Sequence, residues 1–198
     1  MNYLAHFHLA ALQTDGQRED WLVGALLGDI IKGPLHGEWP PGWERSLRLH
    51  RRIDACSDRH PLRRELSQAF PADYRRYAGI ALDVCGDYVL SRHWSRFETQ
   101  PLPEFAAEVY AVLARHRRQL PAPAARMAAR LIDYDVLNIY HRWDTVTGTL
   151  ARIGTRLRRA NPLADTEILT ARLPQVEANF RAYYPQLMAA VASFSAER

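Results

Sequence analysis

Apolar residues recur at intervals of three and four along nearly the whole chain, the spacing that places them on one face of an α-helix. Leu4, Phe7 and Ala11 share such a face near the start, and Trp21 and Leu22 begin the next one. Alternating, strand-like runs are nearly absent. The pattern predicts an all-α fold, a helical bundle of roughly eight to ten helices, because helices average about 11 residues and the joints are short.

Proline and glycine mark where these helices end. Gly33 and Pro34 are expected to end the second helix, and the loop over residues 37–42 to precede the third. The longest uninterrupted pattern runs from residue 72 to about residue 97. The sequence contains no repeat, low-complexity segment or long linker, so we expect a single domain over residues 1–198.

Composition narrows the class of protein. Of the 198 residues, 47% are apolar, enough to bury a substantial core. The formal charge is +4 and Lys32 is the only lysine, so the positive charge is nearly all arginine, whose rigid fork favours an acidic or phosphorylated partner. No signal-peptide pattern or apolar run of membrane-spanning length occurs, so we expect a soluble, cytoplasmic protein without a membrane partner. Cys56 and Cys85 lack the spacing of a zinc site and are expected to be buried thiols.

Carboxylate and imidazole side chains interrupt the apolar pattern at four places. These are His6 and His8, Asp29, His50 with Asp54, and Asp83 with Asp87 followed by His93. An unpaired buried charge is costly, and a bound divalent cation offsets that cost. Residues four apart share a helix face, so each of the two latter pairs can reach one ion. Carboxylates mixed with imidazole suit Mn²⁺, Mg²⁺ or Fe²⁺ at least as well as Zn²⁺.

The four places differ in how strongly they indicate a metal site. Asp29 is the most suggestive, because it extends an apolar stripe where a packing helix would carry an aliphatic residue. His6 and His8 are two residues apart, about 200° around a helix, so at most one of them is expected to point inward. The alternative interpretation of a lone His-x-x-x-Asp pair is a surface hydrogen bond. Arg51 and Arg52, beside His50, can hold phosphate oxygens if the substrate carries a phosphoryl group.

Other catalytic devices are missing from the sequence. It contains no glycine-rich phosphate loop, dinucleotide fingerprint or GxSxG elbow. It also lacks the interleaved aromatic and basic residues of single-strand nucleic-acid binders and any clear helix-turn-helix, so we expect no nucleic-acid partner. A non-enzymatic, arginine-rich helical module that binds nucleic acid or an acidic protein stays open as an alternative function.

Several blocks of the sequence together resemble the bacterial acyl carrier protein phosphodiesterase family, over the whole chain. They are the segment over residues 1–10, Gly28-Asp29, His50-Arg51-Arg52-Ile53-Asp54, Leu82-Asp83 with Asp87, Leu90-Ser91-Arg92-His93-Trp94-Ser95, and the stretch over residues 180–188 that contains Tyr184-Pro185. The resemblance implies an all-α fold related to the HD-type metal phosphohydrolases. HD enzymes carry an adjacent His-Asp pair, which this sequence lacks, so the family resembles an atypical branch.

The resemblance implies an activity, while the site residues are expected from the carboxylates, imidazoles and arginines described above. The activity is metal-dependent hydrolysis that removes 4′-phosphopantetheine from the serine of holo acyl carrier protein, with Mn²⁺ as the usual cation. The expected catalytic residues are Asp29, His50, Asp83 and Arg51. Further metal ligands are expected among Asp54, Asp87, His6 and His8. Arg52, Arg92 and His93 are expected to contact either the substrate or the metal-ligating side chains. Another HD-type phosphohydrolase, acting on a nucleotide or alarmone, is the nearer alternative.

Overall fold

A computed structural model of the protein describes residues 1–192 and 194. The all-α prediction is confirmed, because the described residues form helices and no strand. Twelve α-helices occur in this part of the chain, with one 3₁₀ turn over Trp94–Arg96. The α-helices are α1 Tyr3–Ala11, α2 Arg18–Leu27, α3 Pro41–Arg59, α4 Pro61–Gln68, α5 Ala72–Arg75, α6 Ala78–Arg92, α7 Leu102–His116, α8 Ala122–Asp133, α9 Val136–Ile139, α10 Trp143–Arg156, α11 Glu167–Ala171 and α12 Leu173–Ala192.

The number of helices exceeds the expected eight to ten because short helices fill some of the joints. Helices α5, α9 and α11 have only four or five residues each. The pattern that runs unbroken from residue 72 to about residue 97 is divided between α5, α6 and the 3₁₀ turn. Apolar spacing alone does not show such divisions, since a change of direction between helices can preserve it.

Helix α1 is the central element, because eight of its nine residues are buried. It packs against α2, α3 and α6, which cover it on different sides. The expectation that at most one of His6 and His8 points inward is therefore wrong. Both side chains are buried, at 1% and 0% exposure, because the helix has no solvent-facing side.

Two glycines allow α2 and α3 to approach closely. A Cβ atom at Gly24 would lie 2.2 Å from the Cβ of Ser46, and one at Gly28 would lie 2.1 Å from the Cγ of His50. Only a residue without a side chain fits at such distances. Helix α2 ends at Leu27, earlier than the Gly33-Pro34 break suggested, so Asp29 lies in the turn that follows the helix.

The remaining long helices close the core around α1 and α3. Helix α12 packs on α3, α4 and α6, while α10 packs on α6 and α7 on α2. Cys56 and Cys85 are free thiols; Cys85 is buried and Cys56 half-buried. Among the described residues, no helix is long and apolar enough to cross a membrane.

Candidate metal centre

Three of the predicted residues meet between α1 and α3. His6, His50 and Asp54 each offer one ligand atom, and these atoms all lie within 4.8 Å of one another. The Nε2 atoms of His6 and His50 lie 3.0 Å and 3.5 Å from the two carboxylate oxygens of Asp54. The two imidazole rings stack, with their centroids 3.6 Å apart and their planes 4° from parallel. Two nitrogen donors and one carboxylate therefore face a common point.

His50 is oriented in the way that metal-binding histidines usually are. Its Nδ1 donates a hydrogen bond to the carbonyl oxygen of Ala25, at 2.9 Å. In a neutral ring this bond leaves the lone pair on Nε2, the atom that faces the cluster. That buried Nε2 makes no hydrogen bond to any residue the structure describes. In its neutral form the side chain would present the electron pair of Nε2 beside Oδ2 of Asp54, at 3.5 Å.

His6 is held in its neutral form by its surroundings. Burial, and then the neighbouring His50, lowers the pKa of His6 to about 3. A neutral imidazole is the form that binds a metal ion. Its Nδ1 is buried and has no partner within the described part of the chain.

The carboxyl groups of Asp54 and Asp29 both lie here, and their pKa values are shifted in opposite directions. Burial opposes ionisation of Asp54, but its contacts with His50 and His6 and the nearby amine of Met1 hold the pKa of its carboxyl well below its usual range. Asp29 places Oδ1 3.9 Å from Nε2 of His50. Burial raises the pKa of Asp29, and His50 partly opposes that effect. Asp29 thus borders the His6–His50–Asp54 group from the turn after α2.

Asp83 lies at the border of this group and is engaged elsewhere. Its Oδ1 accepts a hydrogen bond from Arg63 at 2.6 Å and is 2.8 Å from the amine of Met1. The same amine lies 3.2 Å from Oδ1 of Asp54. Asp83 and Asp54 thus share a positive neighbour, while Asp83 does not belong to the three-residue cluster.

Asp87 and His8 also lie apart from the cluster. The buried carboxylate of Asp87 accepts hydrogen bonds from the backbone N–H groups of Leu4 and Ala5, at 2.7 Å and 3.0 Å, and so holds the start of α1. Burial raises the pKa of Asp87 to about 7. His8 contacts the hydroxyl of Tyr184 through Nδ1, at 2.8 Å. Neither side chain belongs to the His6–His50–Asp54 group.

The predicted arginines and His93 are dispersed. Arg51 donates from Nη2 to the carbonyl oxygen of Ile31, at 3.3 Å, beside the turn that carries Asp29. Arg52 is half-buried on α3. At the end of α6, Arg92 and His93 both face Glu177 on α12, with nitrogen to oxygen distances of 3.8 Å and 3.9 Å.

A cavity of about 440 Å³ next to α1 was not predicted from the sequence. The residues that line it come from the start of α1, from α8 to α10 and from the turns between them. Three arginines contribute to the wall: Arg130, Arg152 and Arg156. The spacing of Arg152 and Arg156, four apart on one helix, was the available signal. Arg156 belongs to an arginine run that is typical of a solvated helix face, which conceals this role.

Known proteins resemble this chain over almost its whole length. A family model described as acyl carrier protein phosphodiesterase matches residues 1–187. A protein of that name from Yersinia pestis is 33% identical over 190 residues, covering 95% of this chain and 96% of the relative. Relatives of the same name from Salmonella paratyphi A, at 33% identity, and Escherichia coli O139:H28, at 34%, cover 97% and 96% of this chain and 98% and 96% of their own lengths. No solved structure matches the chain.

Proposed function

Because the chain belongs to the acyl carrier protein phosphodiesterase family, we propose that it hydrolyses the phosphodiester joining 4′-phosphopantetheine to the serine of holo acyl carrier protein, with the help of a divalent cation. The family is one of enzymes, and its relatives are named for the carrier as substrate. The observation that carries the metal-dependent part is the meeting of His6, His50 and Asp54 at one point.

The residues at this point fit a divalent cation. The Nε2 atom of His50 is buried and makes no hydrogen bond to the described residues, and its other nitrogen is fixed by Ala25. The neutral ring of His6 adds a second nitrogen donor and Asp54 a charged oxygen. This mixture suits Mn²⁺, with Mg²⁺ or Fe²⁺ as alternatives. When bound, such a cation polarises a phosphoryl oxygen and lowers the pKa of water.

We assign the ligand set from this geometry. His6, His50 and Asp54 are the proposed ligands, and Asp29 is a further one because its carboxylate borders the same nitrogen of His50. Arg51 is kept as a candidate for binding phosphate oxygens, since its bond to Ile31 uses only one of its five N–H donors.

Three predicted ligands are left out of the set for physical reasons. The carboxylate of Asp83 is engaged by Arg63 and the amine of Met1. Both carboxylate oxygens of Asp87 accept hydrogen bonds from backbone N–H groups of α1, and His8 contacts the hydroxyl of Tyr184. Moving any of them to the cluster would leave buried polar groups without partners, at a cost of about 1–3 kcal/mol each.

The substrate protein is proposed to bind through complementary charge. The chain carries a formal charge of +4, almost entirely from arginine, and the carrier proteins that share this prosthetic group are small and acidic. Opposite net charges speed encounter and favour the correct partner.

The function is tested by incubating the purified protein with holo acyl carrier protein and Mn²⁺, Mg²⁺ or Fe²⁺, and weighing the products by mass spectrometry. We expect apo carrier and free 4′-phosphopantetheine in equal amounts, with the reaction stopped by chelation and by Asp54→Asn. The matched control His141→Gln, an exposed histidine, should leave turnover unchanged. Absence of apo carrier with every cation, or turnover of nucleotides instead, contradicts the proposal.

A further inference from the structure

The cavity beside α1 is bounded by two kinds of wall. One is apolar, from Met127, Leu131, Val136, Ile139 and Ile153. The other is polar, with the hydroxyls of Thr145 and Thr149 and the guanidinium groups of Arg130, Arg152 and Arg156. Its volume of about 440 Å³ lies within the range of roughly 300–1,000 Å³ that small-molecule sites occupy. The cavity is therefore large enough and mixed enough in chemistry for an amphipathic ligand.

Its three arginines are not neutralised by the protein. No described carboxylate forms an ion pair with Arg130, Arg152 or Arg156, whereas arginines elsewhere, such as Arg18 and Arg63, have acidic partners. Within the described residues, the guanidinium of Arg152 donates a hydrogen bond only to the hydroxyl of Thr149, at 2.9 Å. Three guanidinium groups around one cavity favour an anionic ligand, and the guanidinium fork matches the oxygens of a phosphate or a carboxylate.

Tyr3 connects this cavity to the candidate metal centre. Its side chain lines the cavity, and its hydroxyl donates to the sulfur of Met127, at 3.3 Å. Burial, and then the carboxylate of Asp29, raises the pKa of Tyr3, while Arg156 and Arg130 act in the opposite direction. Tyr3 and His6 are three residues apart on α1, so they occupy neighbouring positions along one side of this helix. The neighbouring Asn2 also lines the cavity, where it donates to Tyr140 at 3.1 Å.

We propose that this cavity is the binding pocket for the 4′-phosphopantetheine arm of the substrate. In this arrangement Arg130 and Arg156 bind the phosphate at the end of the cavity formed by the start of α1, and the pantetheine chain extends along the apolar wall. The identity of the ligand rests on the proposed function, and its binding position rests on the geometry of the cavity.

The chemistry of the arm matches the two walls. Its branched methyl groups suit the apolar wall, and its two amides and its hydroxyl can exchange hydrogen bonds with Thr145 and Thr149. Tyr134, 67% exposed at the rim, offers an aromatic face to the part of the arm that leaves the pocket. The pocket accordingly sets which prosthetic group is removed, while the His6–His50–Asp54 group acts on the phosphodiester.

Binding of the reaction product tests this pocket directly. Isothermal titration calorimetry of the full chain with Mn²⁺ would measure Kd for free 4′-phosphopantetheine and for pantetheine, which lacks the phosphate. In the double variant Arg130→Gln/Arg156→Gln, we expect Kd for the phosphorylated ligand to rise at least about tenfold and Kd for pantetheine to change little. The control Arg118→Gln removes the same charge from an exposed position outside the cavity and should leave both values unchanged.

A second variant probes the other end of the pocket. Thr149→Phe fills the cavity from α10 and should weaken both ligands, with the helical circular dichroism unchanged. Equal affinity of the wild type and both variants for 4′-phosphopantetheine overturns the pocket assignment, as does a wild type that does not bind this ligand. Holo carrier hydrolysis separates the two proposals. If the protein hydrolyses holo carrier but the variants bind 4′-phosphopantetheine as tightly as the wild type, the pocket assignment is wrong and the proposed function stands. If the variants weaken binding but the wild type does not hydrolyse holo carrier, the pocket assignment stands and the proposed function is wrong.

Discussion

His50 is fixed from two directions, and both follow from residues far from it in sequence. The carbonyl oxygen of Ala25 holds Nδ1, and the missing side chain of Gly28 makes room for the ring. What remains is a buried Nε2 that points toward Asp54 and Asp29. Such preorganisation lets a cation bind without paying for reorientation of its ligand.

Loss of a ligand at this position should appear first as loss of metal. We expect His50→Gln and Asp54→Asn each to weaken Mn²⁺ binding more than about 100-fold, because removing an outer partner alone typically costs about 10–100-fold. Titration calorimetry with Mn²⁺ measures the effect, and His141→Gln serves as the exposed control. Wild-type affinity in both ligand variants would remove these residues from the site.

Two residues of the candidate site were predicted from a local signal. His50 and Asp54 share a face because they are four apart on one helix, which is visible in the sequence. The contacts of Asp83 and Asp87 could not be predicted from the sequence, because their partners are distant in the chain. Asp83 contacts Arg63 and the amine of Met1, and Asp87 contacts the first turn of α1. A carboxylate that caps a distant helix and one that binds a metal interrupt an apolar pattern in the same way.

At the scale of elements, the candidate centre depends on how closely α2 and α3 approach. We expect Gly28→Ala to displace the ring of His50, since the added Cβ would lie 2.1 Å from its Cγ. Mn²⁺ affinity should fall about tenfold or more, as it does when the support of a ligand is lost. The matched control is Gly79→Ala on α6, where a Cβ meets nothing within 4 Å, and it should bind Mn²⁺ as the wild type does. Unchanged affinity in Gly28→Ala would show that ring placement does not depend on this contact.

The position of α1 depends on Asp87 of α6. We expect Asp87→Ala to lower the free energy of unfolding by about 1–3 kcal/mol for each of the two amides, of Leu4 and Ala5, that lose their acceptor. Asp87→Asn keeps one oxygen and should cost less. Urea unfolding followed by circular dichroism measures both. Stability of Asp87→Ala equal to that of the wild type would mean that other contacts hold α1.

For the whole molecule, the all-α class followed from spacing, because helices bury a face that local sequence reveals. Which residues lie next to one another in three dimensions could not be predicted from this spacing, as the residues that line the cavity show. Tyr3, Met127 and Arg156 line it together although more than a hundred residues separate the first from the others. The fold class can thus be predicted from local sequence patterns, whereas the residues that form a site depend on how the helices pack.

Recognition of an acidic carrier by this basic chain should depend on salt. We expect KM for holo acyl carrier protein to rise as ionic strength increases, since the Debye length falls from about 30 Å at 0.01 M to about 8 Å at 0.15 M. Steady-state kinetics at several salt concentrations measures this, with free 4′-phosphopantetheine binding followed in parallel. A KM independent of salt would contradict recognition through net charge.

The most direct test of the central claim is the position of the cation. Crystals of the full chain grown with Mn²⁺, measured on both sides of the manganese absorption edge, would locate it by anomalous scattering. We predict a peak bounded by Nε2 of His6, Nε2 of His50 and the carboxylate of Asp54, with Asp29 next to it. A manganese peak elsewhere, with this cluster free of it, would contradict the account.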